Sequence, residues 1–320
     1  MRNYLSAVDI KMSAVLPNFN SVEFLPKSIR SLLDQTEPFA EIIIVDDGST
    51  DNSVDVIESF MKDHPHIRLL QHEKNQGVNP ALNTGIRHAT GDYILLCAAD
   101  DWYDPHMVAR AQEAARRYPR VGVICGDAIV QRFDLKEPFY RMLPYPANTL
   151  ITPEMFKAIT RKSYVGFNSG GGMFIHRQAI LDAGMLHNAT RWHGDWLLYF
   201  VAALRHGVYY INEVFIHISM RKVSYSEGKQ NKQIQNQVML DTVRIVDRHY
   251  PELWDDFKKA ALAPHFAIRY IALFLSDPVA RRFMTPRLIW KMLINDRMVV
   301  RIGRLFPYRI ILGVRKLLRA

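Results

Sequence analysis

The 320-residue chain contains only two cysteines, Cys97 and Cys125, which excludes a small scaffold held together by disulfides. Each cysteine lies in an apolar run that predicts a buried strand, so we expect two reduced thiols in the core and no disulfide. Reduced thiols are typical of proteins in the cytosol. We therefore expect a cytoplasmic protein.

Long apolar runs are also missing. No stretch approaches the roughly 18 consecutive apolar residues of a membrane-spanning helix. Residues 1–20 lack an unbroken apolar segment and a small-residue cleavage site, so no secretory signal is predicted. The sequence has no internal repeat and no low-complexity tract, and 48% of its residues are hydrophobic. These features exclude a solenoid or a disordered chain and favour a globular protein of one large or two modest domains.

Acidic residues are too few to balance the basic ones, and the formal net charge is +9. Residues 281–320 carry eleven Lys or Arg and a single acid, Asp296. These cations are Arg281, Arg282, Arg287, Lys291, Arg297, Arg301, Arg304, Arg309, Arg315, Lys316 and Arg319. The rest of the chain is close to neutral, so the basic character belongs to a C-terminal tail.

Short apolar runs alternate with amphipathic segments along the first 127 residues. This alternation predicts an α/β fold with a mostly parallel sheet flanked by helices. We predict strands at 13–16, 42–45, 67–70, 93–97, 121–125 and 173–176, and helices at 22–33, 53–62, 80–89, 105–118 and 196–205. Residues 131–168 show no regular pattern apart from a short helix near 153–160, and the chain is predicted to be helical from about 235. We therefore expect a nucleotide-binding-type domain at 1–235 and a helical region at 236–320.

Two aspartates, Asp46 and Asp47, directly follow a β-branched run and precede Gly48 and Ser49. A buried strand of this kind delivers such residues to the edge at which open α/β sheets bind ligands. One alternative is that an aspartate only caps the next helix. Another is a phosphatase with an aspartate nucleophile, but that motif has one residue between its two aspartates. The adjacent aspartates are evidence against a phosphatase.

A second pair, Asp100 and Asp101, follows another apolar run. Two carboxylates at one strand end suit Mn²⁺ or Mg²⁺, which prefer oxygen ligands and keep positions for phosphates. The pair therefore predicts nucleotide-linked chemistry in which a cation neutralises a diphosphate leaving group. The alternative is a helix cap before Pro105, a role that Asp104 is also placed to fill.

A third acid, Asp195, follows Gly194 at the predicted start of a helix, where the helix dipole favours an ionised carboxylate. An ionised carboxylate beside a metal-bound electrophile is a suitable general base for an alcohol. Taken alone, Asp195 is more typical of an ordinary acid in a first helical turn.

Residues 12–222 resemble family 2 inverting glycosyltransferases with the GT-A fold. The matching segments occur in order: VLPNFN from Val15, SIRSLLDQT from Ser28, EIIIVDDGSTD from Glu41, NQGVNPALNTGI from Asn75, ATGDYILLCAADD from Ala89, SGGGMFIHRQAI from Ser169, HGDW from His193, and Arg221. The resemblance implies a metal-dependent enzyme that moves a hexosyl or N-acetylhexosaminyl group, with inversion, from a nucleotide-diphosphate sugar. The implied acceptor is a hydroxyl of a glycan or of a lipid-linked saccharide, in the synthesis of a cell-surface polysaccharide or glycolipid.

The resemblance also implies roles for single residues. Asp195 is expected to be the catalytic base, and Asp47 is expected to hydrogen-bond the nucleotide base. Asp100 and Asp101 are expected to contact the ribose and the metal, with the division between them left open. The other residues expected at the donor site are Pro17, Phe19, Asn75, Gly77, Asn83 and Arg221.

Three positions depart from the family pattern. The usual Asp-Ala-Asp-Asp is replaced by Ala98-Ala99-Asp100-Asp101, so the first acid is missing. Leu82 stands where an arginine is common, and Val223 stands where a histidine is common two residues after Arg221. His217 is nearby, but it lies in an alternating run where a structural role is expected. These departures keep open a second interpretation, a non-catalytic relative that binds a nucleotide sugar or serves as a membrane-assembly subunit.

The basic tail interleaves its cations with aliphatic and aromatic residues, and Arg297, Arg301 and Arg304 recur at helical spacing. A basic amphipathic helix is typical of a segment that binds an anionic membrane surface. We therefore expect residues 281–320 to associate with the inner face of the cell membrane. A helix packed on its own domain is the alternative. Nucleic-acid binding is disfavoured because the tail is rich in aliphatic residues.

Overall fold

The computed structural model describes residues 9–162, 167, 171–220, 231–264 and 266–294. The chain divides into two compact units. One comprises Met1–Ile159 and Val165–Glu227, and the other comprises Thr160–Tyr164 and Gly228–Ala320. The first unit is an α/β domain built on a single sheet, whereas the second is helical.

The first part of the α/β unit alternates strands and helices, as the sequence predicts. Its elements are β1 (Met12–Asn18), α1 (Leu25–Leu33), β2 (Glu41–Asp46), α2 (Ser53–Met61), β3 (Ile67–Gln71), α3 (Val78–His88), β4 (Tyr93–Leu96), β5 (Trp102–Tyr103) and α4 (Met107–Arg117). Strands β3, β2, β1 and β4 are neighbours in that order, and they run parallel. Parallel neighbours need a crossover connection, which helices α1, α2 and α3 provide.

Strands β1 and β2 lie inside the sheet and are covered on both faces. Every residue of β2 is buried, and so is every residue of β1 except Pro17. Burial on both faces accounts for continuous apolar runs in place of an alternating pattern. Helix α3 packs tightly against this pair, since a Cβ on Gly85 would lie 2.2 Å from Cγ1 of Val15. The close packing brings the beginning of α3 to the carboxyl ends of these strands.

The second part of the sheet is mixed. It is built from β6 (Val123–Arg132), β7 (Phe139–Arg141), β8 (Thr149–Ile151), α5 (Pro153–Lys162), β9 (Met173–His176), α6 (Arg177–Asp182), a 3-10 turn (Asn188–His193), α7 (Gly194–His206) and β10 (Val208–Met220). The full order is β3-β2-β1-β4-β9-β6-β10-β5, with β7 on β6 and β8 on β10. Strand β10 is parallel to β6, whereas β9 is antiparallel to both β4 and β6. The predicted α/β class is confirmed, and the parallel pairing holds for β1–β4 and for β6 with β10.

The segment 131–168, predicted to be largely irregular, contains the end of β6 and the strands β7 and β8. Strands β7 and β8 have three residues each, which is too short for an alternating pattern to be recognised. Their partners are distant in sequence or across a loop, for example residues 208–210 of β10 for β8. The pairing therefore depends on contacts that the local sequence does not reveal.

The second unit is helical, as predicted. It contains α8 (Lys232–His249), a 3-10 turn (Pro251–Leu253), α9 (Trp254–Ala260), α10 (Arg269–Ser276), α11 (Pro278–Phe283) and α12 (Pro286–Ile294). The side chains of Asn231 and Asp277 cap α8 and α11 by accepting backbone N–H groups of the first turn. Among the described residues, no helix has the length and hydropathy required to cross a membrane. Residues 295–320 of the basic tail lie outside the described residues.

Candidate active site

Asp46 ends strand β2, where it is buried among hydrogen-bond donors. Its Oδ1 accepts from Nδ2 of Asn18 (2.7 Å) and from Oγ of Ser49 (2.6 Å), and its Oδ2 accepts from the backbone N–H of Ser49 (3.0 Å). These bonds join the ends of β1 and β2. Oδ1 of Asn18 is buried and has no hydrogen-bond partner within the described part of the chain. A ligand that donates a hydrogen bond would satisfy this acceptor.

Asp47 is 3% exposed and turns toward the loop of residues 72–77, between β3 and α3. Its carboxylate accepts from the backbone N–H of Gln76 (3.0 and 3.1 Å to the two oxygens) and of Gly77 (2.7 Å). Nδ1 of His72 lies 2.6 Å from Oδ1 of Asp47. Asp47 therefore holds this loop against the end of β2.

Gly48 allows the same loop to approach closely. Its φ is +73°, and a Cβ there would lie 2.8 Å from both Cα and the carbonyl carbon of Lys74. Both the backbone conformation and the contact distance favour glycine. Asp46, Asp47, Gly48 and Ser49 thus form one turn that binds the neighbouring loop.

Asp100 and Asp101 follow β4 at the same edge of the sheet. Asp100 is half-buried, and Asp101 is only 5% exposed. The backbone N–H of Ser219, near the end of β10, donates to Oδ1 of Asp101 (2.8 Å). This bond connects residues 118 positions apart and fixes Asp101 at the carboxyl end of β10.

An aromatic stack lies directly after Asp101. The ring of Trp102, in β5, stacks on His217 of β10 with 5.2 Å between centroids and 11° between planes. Nζ of Lys27, in α1, lies 2.9 Å from the centroid of the Trp102 ring. Burial lowers the pKa of His217, which favours the neutral imidazole as a stacking partner. The stack joins α1, β5 and β10 beside the second acidic pair.

Asp195 lies half-buried in the first turn of α7. Its Oδ1 accepts from the backbone N–H of Trp196 (2.7 Å). One turn further, Tyr199 is fully buried, and burial together with the nearby Asp195 and Cys97 raises the pKa of its hydroxyl. Since Cys97 directly follows β4, Tyr199 lies near the end of that strand.

Helix α7 is also joined to α3 at its beginning. Nδ2 of Asn79, in the first turn of α3, donates to the carbonyl oxygens of Arg191 (2.8 Å) and His187 (3.2 Å). A Cβ on Gly194 would lie 2.7 Å from the Asn79 amide. The glycine before Asp195 therefore lets the first turns of α3 and α7 pack against each other.

Four other predicted donor-site residues lie around Asp47. Pro17 and Phe19 are at the carboxyl end of β1, and Phe19 is 43% exposed. Asn75 is exposed in the loop that Asp47 holds, and Gly77 starts α3 with a φ of +102°. The fold thus brings these residues to one edge of the sheet.

Asn83 and Arg221 are the remaining predicted donor-site residues. The amide of Asn83 exchanges two hydrogen bonds with the backbone of Leu186, at 2.8 and 3.0 Å. These bonds direct it to the loop after α6, so its contacts in the structure stabilise the fold. Leu82, which stands where an arginine is common, is buried in α3. Arg221 lies outside the described residues, and its expected role stays a prediction.

In the part of the chain that the structure describes, no group of three or more His, Cys, Asp or Glu side chains is placed to hold a metal ion. Mg²⁺ does not require such a group, because it is commonly bound by one or two carboxylates together with water and substrate phosphates. Asp100 and Asp101 are adjacent carboxylates at the ligand-binding edge, and oxygen is the donor that Mg²⁺ and Mn²⁺ prefer. The residues present fit a cation that is shared with a diphosphate.

Four residues with contacts at this site are not indicated by the sequence: Asn18, His72, Asn79 and Ser219. Asn18 and Asn79 stand inside recognisable segments, but a segment does not show which group a polar side chain bonds. His72 follows β3, and the parallel register pairs Asp46 with Gln71. Adjacent parallel strands that end together place residues 47 and 72 side by side, so this contact was accessible from the strand pattern.

The parallel core and its acid-lined carboxyl edge define a GT-A type of α/β domain. Residues 13–183 match the model of glycosyl transferase family 2. The match covers more than half of the chain, and the chain belongs to this family. The family membership and the GT-A fold expected from the sequence are thereby confirmed.

Individual relatives are similar over part of their length. The uncharacterized glycosyltransferase alr2836 of Nostoc sp. is 39% identical over 115 residues, which is 36% of either chain. The uncharacterized glycosyltransferase YibD of Escherichia coli is 42% identical over 97 residues, 30% of this chain and 28% of that one. The chain thus matches about a third of the length of these relatives.

A solved structure shares the fold over a longer range. TarS 1-349 of S. aureus, crystallised in complex with UDP-GlcNAc, superposes with a TM-score of 0.58 at 15% sequence identity. The superposition covers 83% of this chain and 73% of TarS 1-349. At this identity the similarity concerns the fold.

Proposed function

We propose that the protein is an inverting glycosyltransferase that moves a sugar from a nucleotide-diphosphate sugar to a hydroxyl of a glycan or lipid-linked acceptor. One observation carries the proposal: Asp47, Asp101 and Asp195 come from three separate segments and meet one edge of the sheet. Asp47 lies at the end of β2, and Asp101 follows β4. Asp195 begins a helix that packs on α3 at the same edge. Membership of family 2 supports this assignment.

Asp195 is the proposed general base. Its carboxylate takes the proton of the acceptor hydroxyl while the hydroxyl oxygen forms a bond to the anomeric carbon of the donor sugar. The bond from that carbon to the nucleoside diphosphate breaks on the opposite face, so the configuration inverts. The first turn of α7 favours the negative charge of this carboxylate until the proton is transferred.

Asp100 and Asp101 are the residues proposed to hold Mn²⁺ or Mg²⁺. A bound cation supplies positive charge that neutralises the departing diphosphate. The Ser219 N–H fixes one oxygen of Asp101, while Asp100 is half-buried beside it. We expect transfer to stop in excess chelator and to return when Mn²⁺ or Mg²⁺ is added. Full activity in excess chelator would contradict the metal assignment.

The donor is proposed to carry a hexosyl or N-acetylhexosaminyl group. TarS 1-349 was solved with UDP-GlcNAc and with UDP, which makes uridine-diphosphate sugars the first donors to test. Asp47, Pro17, Phe19, Asn75 and Gly77 are the proposed donor contacts. A panel of nucleotide sugars, scored by thermal stabilisation and slow donor hydrolysis, identifies both the base and the sugar.

The base assignment is tested by Asp195→Asn, which removes the proton acceptor and keeps the shape of the side chain. We expect transfer to fall by about 10²- to 10⁴-fold, the usual contribution of a general base, with donor affinity retained. Asp182→Asn, an acid at the end of the neighbouring helix α6, is the matched control and should transfer at the wild-type rate. Near-wild-type turnover of Asp195→Asn rejects the assignment.

A second candidate is a non-catalytic relative that binds a nucleotide sugar or assists membrane assembly. The observation in its favour is Ala98-Ala99, which replaces the first acid of the family's acidic motif. A protein of this kind would be stabilised by a nucleotide sugar and would show neither hydrolysis nor transfer with any acceptor. Turnover with one donor excludes it.

Residues 281–320 are proposed to bind an anionic membrane surface on the cytoplasmic side, which would bring the enzyme to a lipid-linked acceptor. The seven cations of residues 297–320, interleaved with apolar residues, support the proposal. In the described part of the segment, by contrast, Lys291 is buried and donates to the carbonyl oxygens of Ala260 and Ala261, and Arg282 is paired with Asp247. Flotation of the full-length protein with anionic liposomes tests it. We expect flotation to be lost when Arg297, Arg301 and Arg304 are all changed to Glu, and unchanged flotation rejects the role of the tail.

A further inference from the structure

His72 connects the carboxylate of Asp47 to helix α3. Its Nδ1 lies 2.6 Å from Oδ1 of Asp47, and its Nε2 lies 3.0 Å from Oγ1 of Thr84. The side chains of His72 and Asp47 are only 10% and 4% exposed. Nη2 of Arg87 donates to the same Oγ1 of Thr84 (3.1 Å). A carboxylate, an imidazole and a hydroxyl are therefore held in a line that leads from the end of β2 to α3.

The chemistry of these groups sets the direction of the bond to Asp47. An ionised carboxylate only accepts, so Nδ1–H of His72 donates to Asp47. The hydroxyl of Thr84 can both donate and accept, so it is a partner for Nε2 in either protonation state of the imidazole. The Arg87 guanidinium only donates, and the oxygen of Thr84 has a lone pair for it. The imidazole is thus oriented at both ends.

The Asp47 carboxylate also binds the backbone of the loop of residues 72–77. The N–H groups of Gln76 and Gly77 donate to it, so together with His72 it receives three donors. A carboxylate has about four lone-pair positions, which leaves about one for a ligand. The direction of this remaining lone pair depends on the rotation of the carboxylate. The hydrogen bond from the His72 side chain fixes the position of Oδ1 and therefore this rotation.

We infer that His72 is a positioning residue for the donor pocket, because it orients the Asp47 carboxylate and, through it, the loop of residues 72–77. The inference rests on the proposed function, since it requires that Asp47 and this loop bind the nucleotide of the donor. His72 acts through Asp47 and not on the reacting atoms. Its loss therefore raises the donor KM and leaves kcat at saturating donor near the wild-type value.

Two substitutions separate the two ends of the imidazole. In His72→Asn the amide nitrogen falls near the position of Nδ1, so the bond to Asp47 is kept and the contact with Thr84 is lost. In His72→Gln the amide nitrogen falls near the position of Nε2, so the contact with Thr84 is kept and the bond to Asp47 is lost. A role in packing alone predicts similar effects for both variants. His88→Gln, an exposed histidine on α3, is the matched control.

Binding of UDP, GDP, CDP and ADP, each alone, is measured by titration calorimetry for the wild type and the three variants. For the nucleotide that the wild type prefers, we expect His72→Gln to bind about tenfold more weakly, as for loss of one charge-assisted hydrogen bond. We expect His72→Asn to stay within about threefold of the wild type and His88→Gln to be unchanged. Steady-state kinetics should show the matching rise in donor KM for His72→Gln alone.

Equal affinity of His72→Gln and His72→Asn overturns the inference and leaves the proposed function intact, provided that the wild type binds a nucleotide. A wild type that binds none of the four nucleotides overturns the proposed function and the inference with it. If His72→Gln does not fold, His72→Ala takes its place, because it also removes the bond to Asp47. We then expect His72→Ala to bind the nucleotide about tenfold more weakly than His72→Asn, and equal affinity of these two variants contradicts the inference.

Discussion

The two acidic pairs follow strands on either side of β1, and they are held in different ways. Asp46 and Asp47 are bound by groups no more than 30 positions away in the sequence, all within the β1–α3 segment. Asp101 is bound by Ser219, 118 positions away, and this bond exists only after the chain has returned through β6, β9 and β10. Two motifs that look alike in sequence are thus held differently, the first by residues nearby in sequence and the second by a strand far away in sequence.

The acids of the two pairs also differ in the groups that their carboxylates bind and in their exposure. Asp46 directs both of its oxygens to Ser49 in its own turn and to Asn18 at the end of β1, so its carboxylate stabilises the edge of the sheet. Asp47 divides its oxygens between the neighbouring loop and His72. Asp100 is half-buried, which leaves it more accessible than either acid of the first pair. The second pair is therefore expected to act on the diphosphate of the donor and Asp46 to shape the pocket, whereas Asp47 both holds the neighbouring loop and is a proposed donor contact.

Among changes to the two acidic pairs, the largest effect is expected from Asp101→Asn. A metal-bound diphosphate is worth several kcal/mol of transition-state stabilisation, so we expect transfer to fall by about 10²- to 10³-fold. The measurement is kcat/KM over a range of Mn²⁺ and Mg²⁺ concentrations. Asp104→Asn, which changes the acid that accepts the N–H of His106, is the control in the same loop and should retain activity. Equal activity of the two variants would contradict a role of the second pair in binding the diphosphate through a metal.

A smaller effect, on stability, is expected from adding a Cβ to Gly48, directly after the first acidic pair. Gly48→Ala combines a positive φ with a 2.8 Å contact to the Lys74 backbone, so we expect a loss of about 3 kcal/mol in unfolding free energy. Gly184→Ala has a similar φ of +75° but no atom within 4 Å of the new Cβ, and should cost about 1 kcal/mol. Urea unfolding of both variants measures the difference. Equal losses would mean that the loop next to Gly48 moves aside without cost.

The smallest effect concerns the amino end of β2, where Glu41 accepts from Thr90, Ser13 and Arg68. Burial raises the pKa of Glu41, but these hydrogen bonds outweigh it and bring the pKa below the ordinary value of 4.5. The carboxylate therefore stabilises the fold above that value and stops doing so as the pH falls through the lowered pKa. We expect Glu41→Gln to lose about 1–2 kcal/mol at pH 7, and the gap to the wild type to close below pH 4.5. Urea unfolding at pH 7, 5 and 3 tests this, and a constant gap contradicts it.

Much of the first half of the fold could be predicted from the sequence. Strands β1 to β4 are joined by single helices, so each apolar run pairs with a neighbour that is close in sequence. The strand order of the second half could not be predicted, because its paired strands are far apart in the sequence. Strand β9 inserts between β4 and β6, and β8 pairs with β10, and neither strand is long enough to show its partner.

The candidate site divides in the same way. Asp47, Asp100 and Asp195 could be identified from their settings at strand or helix ends. The contacts of His72 with Thr84 and of Asn79 with Arg191 could not, because each joins a helix to a loop whose path is set by packing. For Asn83 the sequence predicts a place at the donor site, and the structure adds two bonds to the backbone of Leu186 that the sequence did not reveal.

The sequence by itself determined which acids end which elements, because apolar runs and turn residues are local properties. It also determined that the surplus of positive charge belongs to residues 281–320. The tertiary structure alone decided how each carboxylate is oriented. The hydrogen bond from Ser219 to Asp101, for example, requires backbone positions that only the assembled sheet supplies.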